Sequence, residues 1–231
     1  MIILQAEGLN KSYGRFPALH DVNLTMETGK VIGLLGPNGS GKTTFLKIIA
    51  GLLTPTSGGV KIGGEAPGIN TKKRVSYLPD TTFFPTWMKV KDAFNLFEDF
   101  YPDFNREKAA EMMKSLDIPV EMSLKKMSKG TLEKVQLIMA MSREADLYCL
   151  DEPIGGVDPA TRDYILRTII SNYSENSSVL ISTHLIADVE NVLDEVIFLQ
   201  KGAIVKHSSV DDIREKEGKS VDALFREVFA C

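Results

Sequence analysis

Apolar residues in this chain gather into short unbroken runs bounded by turn formers. Val31 to Leu35, Arg74 to Leu78, Asp146 to Leu150 and Val179 to Thr183 are each long enough for a strand and mostly apolar. Such runs suit strands buried on both faces, as in parallel sheets. Between them the spacing changes to helical periodicity: Phe45 to Leu53, a helix capped by Ser128 and running to about Arg143, about Ala160 to Tyr173, and Ile186 to Leu193. Strands alternating with helices predict an α/β fold with a predominantly parallel sheet flanked by helices on both faces.

The ends of the chain read differently. Residues 2 to 9 and Leu19 to Met26 alternate as half-buried strands, and Val60 to Ile62 is a short strand that Gly63-Gly64 would close into a hairpin. A strand from Glu195 to Leu199, a turn at Lys201-Gly202, a strand from Ala203 to Lys206 and a charged helical tail complete the chain. From Val90 to Met127 the texture is helical, with Ala93, Phe94, Phe97, Phe100 and Tyr101 on one stripe and a second helix from about Asn105, a candidate N-cap, to Leu116. The aromatic stripe reads as the core of a helical insert.

Composition narrows the function classes. With 231 residues, 43% hydrophobic and 25% charged, the chain has the make-up of a globular protein able to bury an ample core. Its net charge of -4 argues against a nucleic-acid partner held by phosphate neutralisation. Two cysteines, Cys149 in an apolar run and Cys231 at the last position, fit a reducing compartment without a designed disulfide. Met1 to Leu4 is too short and too soon acidic for a signal peptide, and no apolar run approaches the roughly 20 residues that span a bilayer. A membrane role is therefore expected through a partner.

The chemistry concentrates after the first apolar run. Gly36, Pro37, Asn38, Gly39, Ser40, Gly41, Lys42, Thr43 and Thr44 form a glycine-rich loop between a strand and a helix. Glycines let backbone N–H groups converge on a polyphosphate, the helix start adds its unpaired donors, and Lys42 adds a full charge. Thr43 is placed to ligate Mg²⁺. The third run ends in Asp151 and Glu152, adjacent acids of the kind that complete a nucleotide site. Asp80 and His184 also stand at strand ends, where α/β sheets bind ligands, and Tyr13 is either a surface residue in a turn or a platform for a flat base.

Taken in order, these residues resemble the ATP-binding subunit of an ATP-binding cassette (ABC) transporter from end to end. Tyr13 matches the adenine-stacking position, Gly36 to Thr44 the phosphate loop, and Met127 to Thr131 the signature that begins the cap on a second subunit's nucleotide. Asp151 and Glu152 match the metal-linked aspartate and catalytic glutamate, Asp158 the inter-subunit aspartate, and His184 the switch histidine. The resemblance implies a phosphate-loop NTPase core with an N-terminal antiparallel β subdomain and a helical signature subdomain. Residues 1–231 would form one such domain, its core at about 1–86 and 144–231 and its helical part at about 87–143.

It also implies the cofactors ATP and Mg²⁺, a head-to-tail partner subunit, and a separate transmembrane permease that holds the protein at the inner face of the membrane. Ser128 and Gly130 would then meet the γ-phosphate across the dimer. Three positions depart from the pattern: Asp80 stands where glutamine is usual, Lys129 replaces the first signature glycine, and Thr131 replaces the glutamine. Those departures, the chain length and the Phe97 to Phe104 stretch resemble exporters more than nutrient importers. In the family the insert and the loop around Asp80 receive a helix of the membrane subunit, which gives Phe84, Trp87, Phe94 and Phe97 a second possible use as groove lining. The rival reading is a soluble ABC ATPase of translation or DNA maintenance, disfavoured by the single nucleotide domain, the lack of a long coiled-coil insertion and the acidic charge.

Overall fold

The computed structural model describes residues 1–229; Ala230 and Cys231, and with them the reading of Cys231, lie outside the described residues. In chain order the strands are β1 (Ile2–Tyr13), β2 (Phe16–Glu27), β3 (Val31–Leu35), β4 (Ser57–Ile62), β5 (Val75–Leu78), β6 (Leu147–Asp151), β7 (Ser178–Thr183), β8 (Glu195–Gln200) and β9 (Ala203–Ser209). The α-helices are α1 (Lys42–Ile49), α2 (Ile69–Arg74), α3 (Val90–Phe100), α4 (Arg106–Ser115), α5 (Lys129–Met141), α6 (Pro159–Asn172), α7 (Ile186–Val189), α8 (Val210–Glu217) and α9 (Val221–Val228).

A six-stranded sheet has the order β5-β6-β7-β3-β8-β9. All its pairings are parallel except that of β8 with β9. The apolar runs are continuous because both faces are covered. Val31 and Leu35 of β3 point to one core with Tyr148, Leu150, Val179 and Ile181, whereas Ile32 and Leu34 point to another with Leu147, Cys149 and Leu180. The second core is roofed by α1 and by a three-stranded antiparallel sheet of order β2-β1-β4.

Several local expectations change. Tyr13 ends β1 rather than sitting in a turn, because β1 and β2 stay paired up to Tyr13 and Phe16. The ladder partner of β4 is β1, so Val60 to Ile62 belongs to the antiparallel sheet; Gly63-Gly64 closes only a bridge from Ile62 to Glu65. The helix expected from Ile186 to Leu193 is α7 followed by a 3₁₀ turn at Glu190–Val192.

The segment from Val90 to Met127 folds around its own apolar cluster, with Phe94, Phe97, Phe104, Ala109 and Met113 buried against Val135, Ile138 and Met139 of α5. Asn105 caps α4, its side chain accepting from Lys108 N. Phe100 leaves the predicted stripe and is 71% exposed. Phe84 and Phe94 are buried in this cluster, while Trp87 is 72% exposed. Of the suggested groove residues only Phe97 reaches the cavity of about 580 Å³ between insert and sheet, whose lining includes Lys47, Leu52, Tyr77, Phe83, Phe100 and Arg143.

Candidate functional site

Sheet order builds the site. Strand β7 lies between β3 and β6, with Leu35 opposite Thr183 and Asp151 opposite Ser182. Three strand ends therefore meet, delivering the glycine loop, His184 and the acids Asp151 and Glu152 to one edge, where parallel sheets bind ligands.

The loop is cradled by backbone. A Cβ on Gly36 would lie 2.3 Å from Leu199 O, and Gly41, at φ +108°, would place one 2.5 Å from Ala18 O. Gly41 also N-caps α1, whose first turn holds no acid to compete with an anion. Gly41→Ala is expected to lower nucleotide affinity about tenfold or more, since a left-handed conformation alone costs a non-glycine residue about 1–2 kcal/mol. Titration with a fluorescent ATP analogue checks this; unchanged affinity would show that the cradle tolerates a side chain.

Lys42 is buried, its ammonium donating to Gly36 O at 2.8 Å and lying 3.4 Å from Glu152 Oε1. The other oxygen of Glu152 is 3.0 Å from His184 Nδ1. Glu152 itself adopts φ +49°, a conformation rare outside glycine and common where a site imposes strain. Its N–H donates to Ser182 O at 3.0 Å and to Ser182 Oγ at 3.1 Å, which holds the residue in place.

Ser182 does a second job, donating to Asp151 Oδ1 at 2.5 Å. Tyr77 of β5 donates to Asp151 Oδ2 at 3.5 Å. Burial pushes the Asp151 carboxyl above its ordinary value, against hydrogen bonds from Ser182 and Thr43, while the charges of Asp80 and Glu152 push the same way as burial. Burial and then the charge of Asp151 drive the Tyr77 hydroxyl far upward, so it stays a donor. Neither Ser182 nor Tyr77 was singled out in the sequence. Their signal is a polar residue inside an otherwise apolar strand, which becomes informative only once strand order is known.

The donors Thr43, Asp151 and Asp80 are hard oxygens, the set that suits Mg²⁺. Among the described residues no cluster of three or more His, Cys, Asp or Glu is arranged to hold a metal alone.

The remaining candidates lie elsewhere. Ser128 caps α5, accepting from Thr131 N at 3.2 Å and sharing a 2.8 Å contact with Thr131 Oγ1. Gly130 sits beside the start of α6, where a Cβ would be 3.5 Å from Thr161 Oγ1. Asp158 caps α6, accepting from Thr161 N at 3.0 Å and from Thr161 Oγ1 at 2.7 Å, and these bonds lower its carboxyl from the ordinary value. Lys129 extends into solvent with its ammonium 3.7 Å from Glu133 Oε1. Ser128, Gly130 and Asp158 thus lie together at the starts of α5 and α6, apart from the phosphate loop and its acids. Tyr13 stands apart at the tip of β1, with the Lys11 ammonium 5.4 Å from its ring centre.

The family model described as ABC transporter matches residues 19–155. The ABC transporter ATP-binding protein YtrB of Bacillus subtilis (strain 168) is 29% identical over 219 residues, covering 93% of this chain and 74% of its own. The uncharacterized ABC transporter ATP-binding protein YxlF of the same organism is 31% identical over 229 residues, covering 96% and 76%. A solved structure described as the ATP binding subunit of an ABC transporter superposes with a TM-score of 0.88 at 26% identity, covering 98% of this chain and 99% of that one.

Proposed function

The chain belongs to the ABC transporter family as one of its ATP-binding subunits, which hydrolyse ATP, dimerise and work with transmembrane partners, and from that premise we propose that it powers an exporter whose permease is a separate polypeptide. The carrying observation is the convergence of Lys42, Glu152 and His184 on one edge of the sheet, with Lys42 3.4 Å and His184 3.0 Å from different oxygens of the same carboxylate.

In this reading the N–H groups of Gly36 to Thr44 and the Lys42 ammonium hold the triphosphate, and Tyr13 stacks on adenine. Glu152 accepts a proton from the attacking water, and His184, anchored to Glu152, keeps that carboxylate aimed and touches the γ-phosphate. Thr43, Asp151 and Asp80 would hold Mg²⁺, which when bound would offset charge building on the phosphate oxygens. Asp151 is itself fixed by Ser182 and Tyr77.

The edge formed by Ser128, Gly130 and Asp158 completes the site in trans. Ser128 and Gly130 at the start of α5 meet the γ-phosphate on the partner subunit, an identical or a related chain, and Asp158 lies at the seam. ATP then binds the closed dimer better than the open one, and hydrolysis removes that preference. Residues 1–231 act as one ABC ATPase domain, with the insert at about 87–143 moving on the core. The cavity bounded by Phe83, Phe97 and Phe100 receives a helix of the permease.

Among the described residues no helix is long and apolar enough to cross a membrane. In this reading, attachment to the inner face of the membrane runs through the permease. Tagged protein expressed in its native host is expected to sediment with membranes and, after detergent extraction, to co-purify with a multi-spanning protein. Recovery entirely in the supernatant, with no such companion, would overturn the transporter assignment in favour of a soluble ABC ATPase.

A further inference from the structure

The C-terminal half of helix α5 is buried on every side and, at Val135, Leu137, Ile138, Met139, Ala140 and Met141, apolar. Gln136 interrupts it, and only 4% of that residue is exposed. A buried amide is retained at a cost unless it is bonded, so its partner indicates its use. Gln136 Oε1 accepts from the backbone N–H of Phe83 at 3.0 Å. One turn further along the same face, Ala140 O accepts from Ser76 Oγ at 2.8 Å. Positions four apart on a helix share a face. The stretch from Ser76 to Phe83, which carries Tyr77 and Asp80, is therefore pinned to α5 at both ends.

That stretch faces the chain's own nucleotide site: Tyr77 bonds Asp151, and the charge of Asp80 acts on Asp151. Asp80 and Phe83 are three positions apart, so the tether is at most about 11 Å long at roughly 3.6 Å per residue. Helix α5 begins at the Ser128 cap, eight residues before Gln136, or about 12 Å away at about 1.5 Å per residue. Because this cap serves the partner's nucleotide in the dimer proposed above, on which the inference rests, one rigid helix joins a cap for one site to the acid-bearing loop of the other.

We propose that Gln136 is a positioning residue that couples the two nucleotide sites, by holding the Asp80 loop in register with the capping helix through its bond to Phe83 N–H. When a γ-phosphate draws α5 toward the partner, the loop and Asp80 follow, so occupation of one site shapes the other. Coupling of this kind is read as cooperativity in ATP.

The test uses the full chain with its membrane partner. Gln136→Met keeps the volume and removes the acceptor, and Gln136→Glu keeps an acceptor toward Phe83 N–H. Gln136→Met is expected to bind ATP as tightly as the parent and to melt within about 4 °C of it. Its maximal turnover should fall roughly five- to tenfold, and its rate should depend hyperbolically rather than sigmoidally on ATP. Gln136→Glu should restore the sigmoidal dependence. A Gln136→Met variant as cooperative as an active parent overturns the inference alone, as does a Gln136→Glu variant equally uncoupled. A parent that hydrolyses no ATP overturns the functional reading and this inference with it.

Discussion

Glu152→Gln is expected to slow ATP hydrolysis by about 10²-fold or more, the usual size of a general-base contribution, while leaving ATP binding intact. The amide keeps the shape of the carboxylate and an oxygen able to face Lys42, but it cannot take a proton from water. Removing a negative charge beside the γ-phosphate position also favours a bound triphosphate. With hydrolysis blocked, the ATP-closed dimer should accumulate. Moving a dimer from mostly open to mostly closed takes a preference of roughly 5.5 kcal/mol, which ATP contacts to both subunits would supply. Single-turnover hydrolysis measures the first effect and size-exclusion chromatography with ATP the second. Wild-type turnover in the variant would remove Glu152 from the role of base.

Arg143→Ala is expected to destabilise the fold by roughly 3–5 kcal/mol, because it leaves a half-buried carboxylate and several carbonyls without their cation. Arg143 is only 3% exposed. Its Nε and Nη2 bond Asp103 at 3.0 and 3.1 Å, its Nη1 donates to Val75 O at 2.7 Å, and its Nη2 also reaches Lys72 O and Lys73 O at 3.1 and 3.0 Å. The guanidinium further lies 4.0 Å from the Tyr101 ring centre. One side chain thus ties the helical insert, through Asp103 and Tyr101, to the root of β5. Urea denaturation should show the loss, and Asp103→Asn should lose less because the carbonyl bonds remain. A cost below about 1 kcal/mol for Arg143→Ala would mean that the insert is held by its apolar cluster alone.

The order of chemistry along the chain was legible because its signals are local. Glycine spacing, a lysine at a helix start and two acids closing an apolar run can be read residue by residue, and each motif was expected next to the element that presents it. The same holds for the caps: Asn105 and Ser128 precede their helices and accept from the N–H three residues on. Local reading failed where a partner comes from far away. Phe100 has the spacing of the buried stripe and is still largely exposed, because it lies on the open cavity between insert and sheet rather than in the insert's own apolar cluster. Tyr77, Ser182, Gln136 and Arg143 looked like ordinary strand and helix content.

The sequence by itself determined which residue types are available for phosphate, metal and proton chemistry, in what order, and in which kind of element, since backbone conformation and side-chain periodicity act over a few neighbours. Only the tertiary structure decided that β7 lies between β3 and β6, so that residues more than a hundred positions apart meet at one sheet edge. It also decided that Glu152 takes a left-handed backbone held by Ser182, and that a buried glutamine finds its partner in the Asp80 loop. Strand order and the pairing of buried polar groups follow from long-range burial and hydrogen-bond satisfaction, which no window along the chain contains.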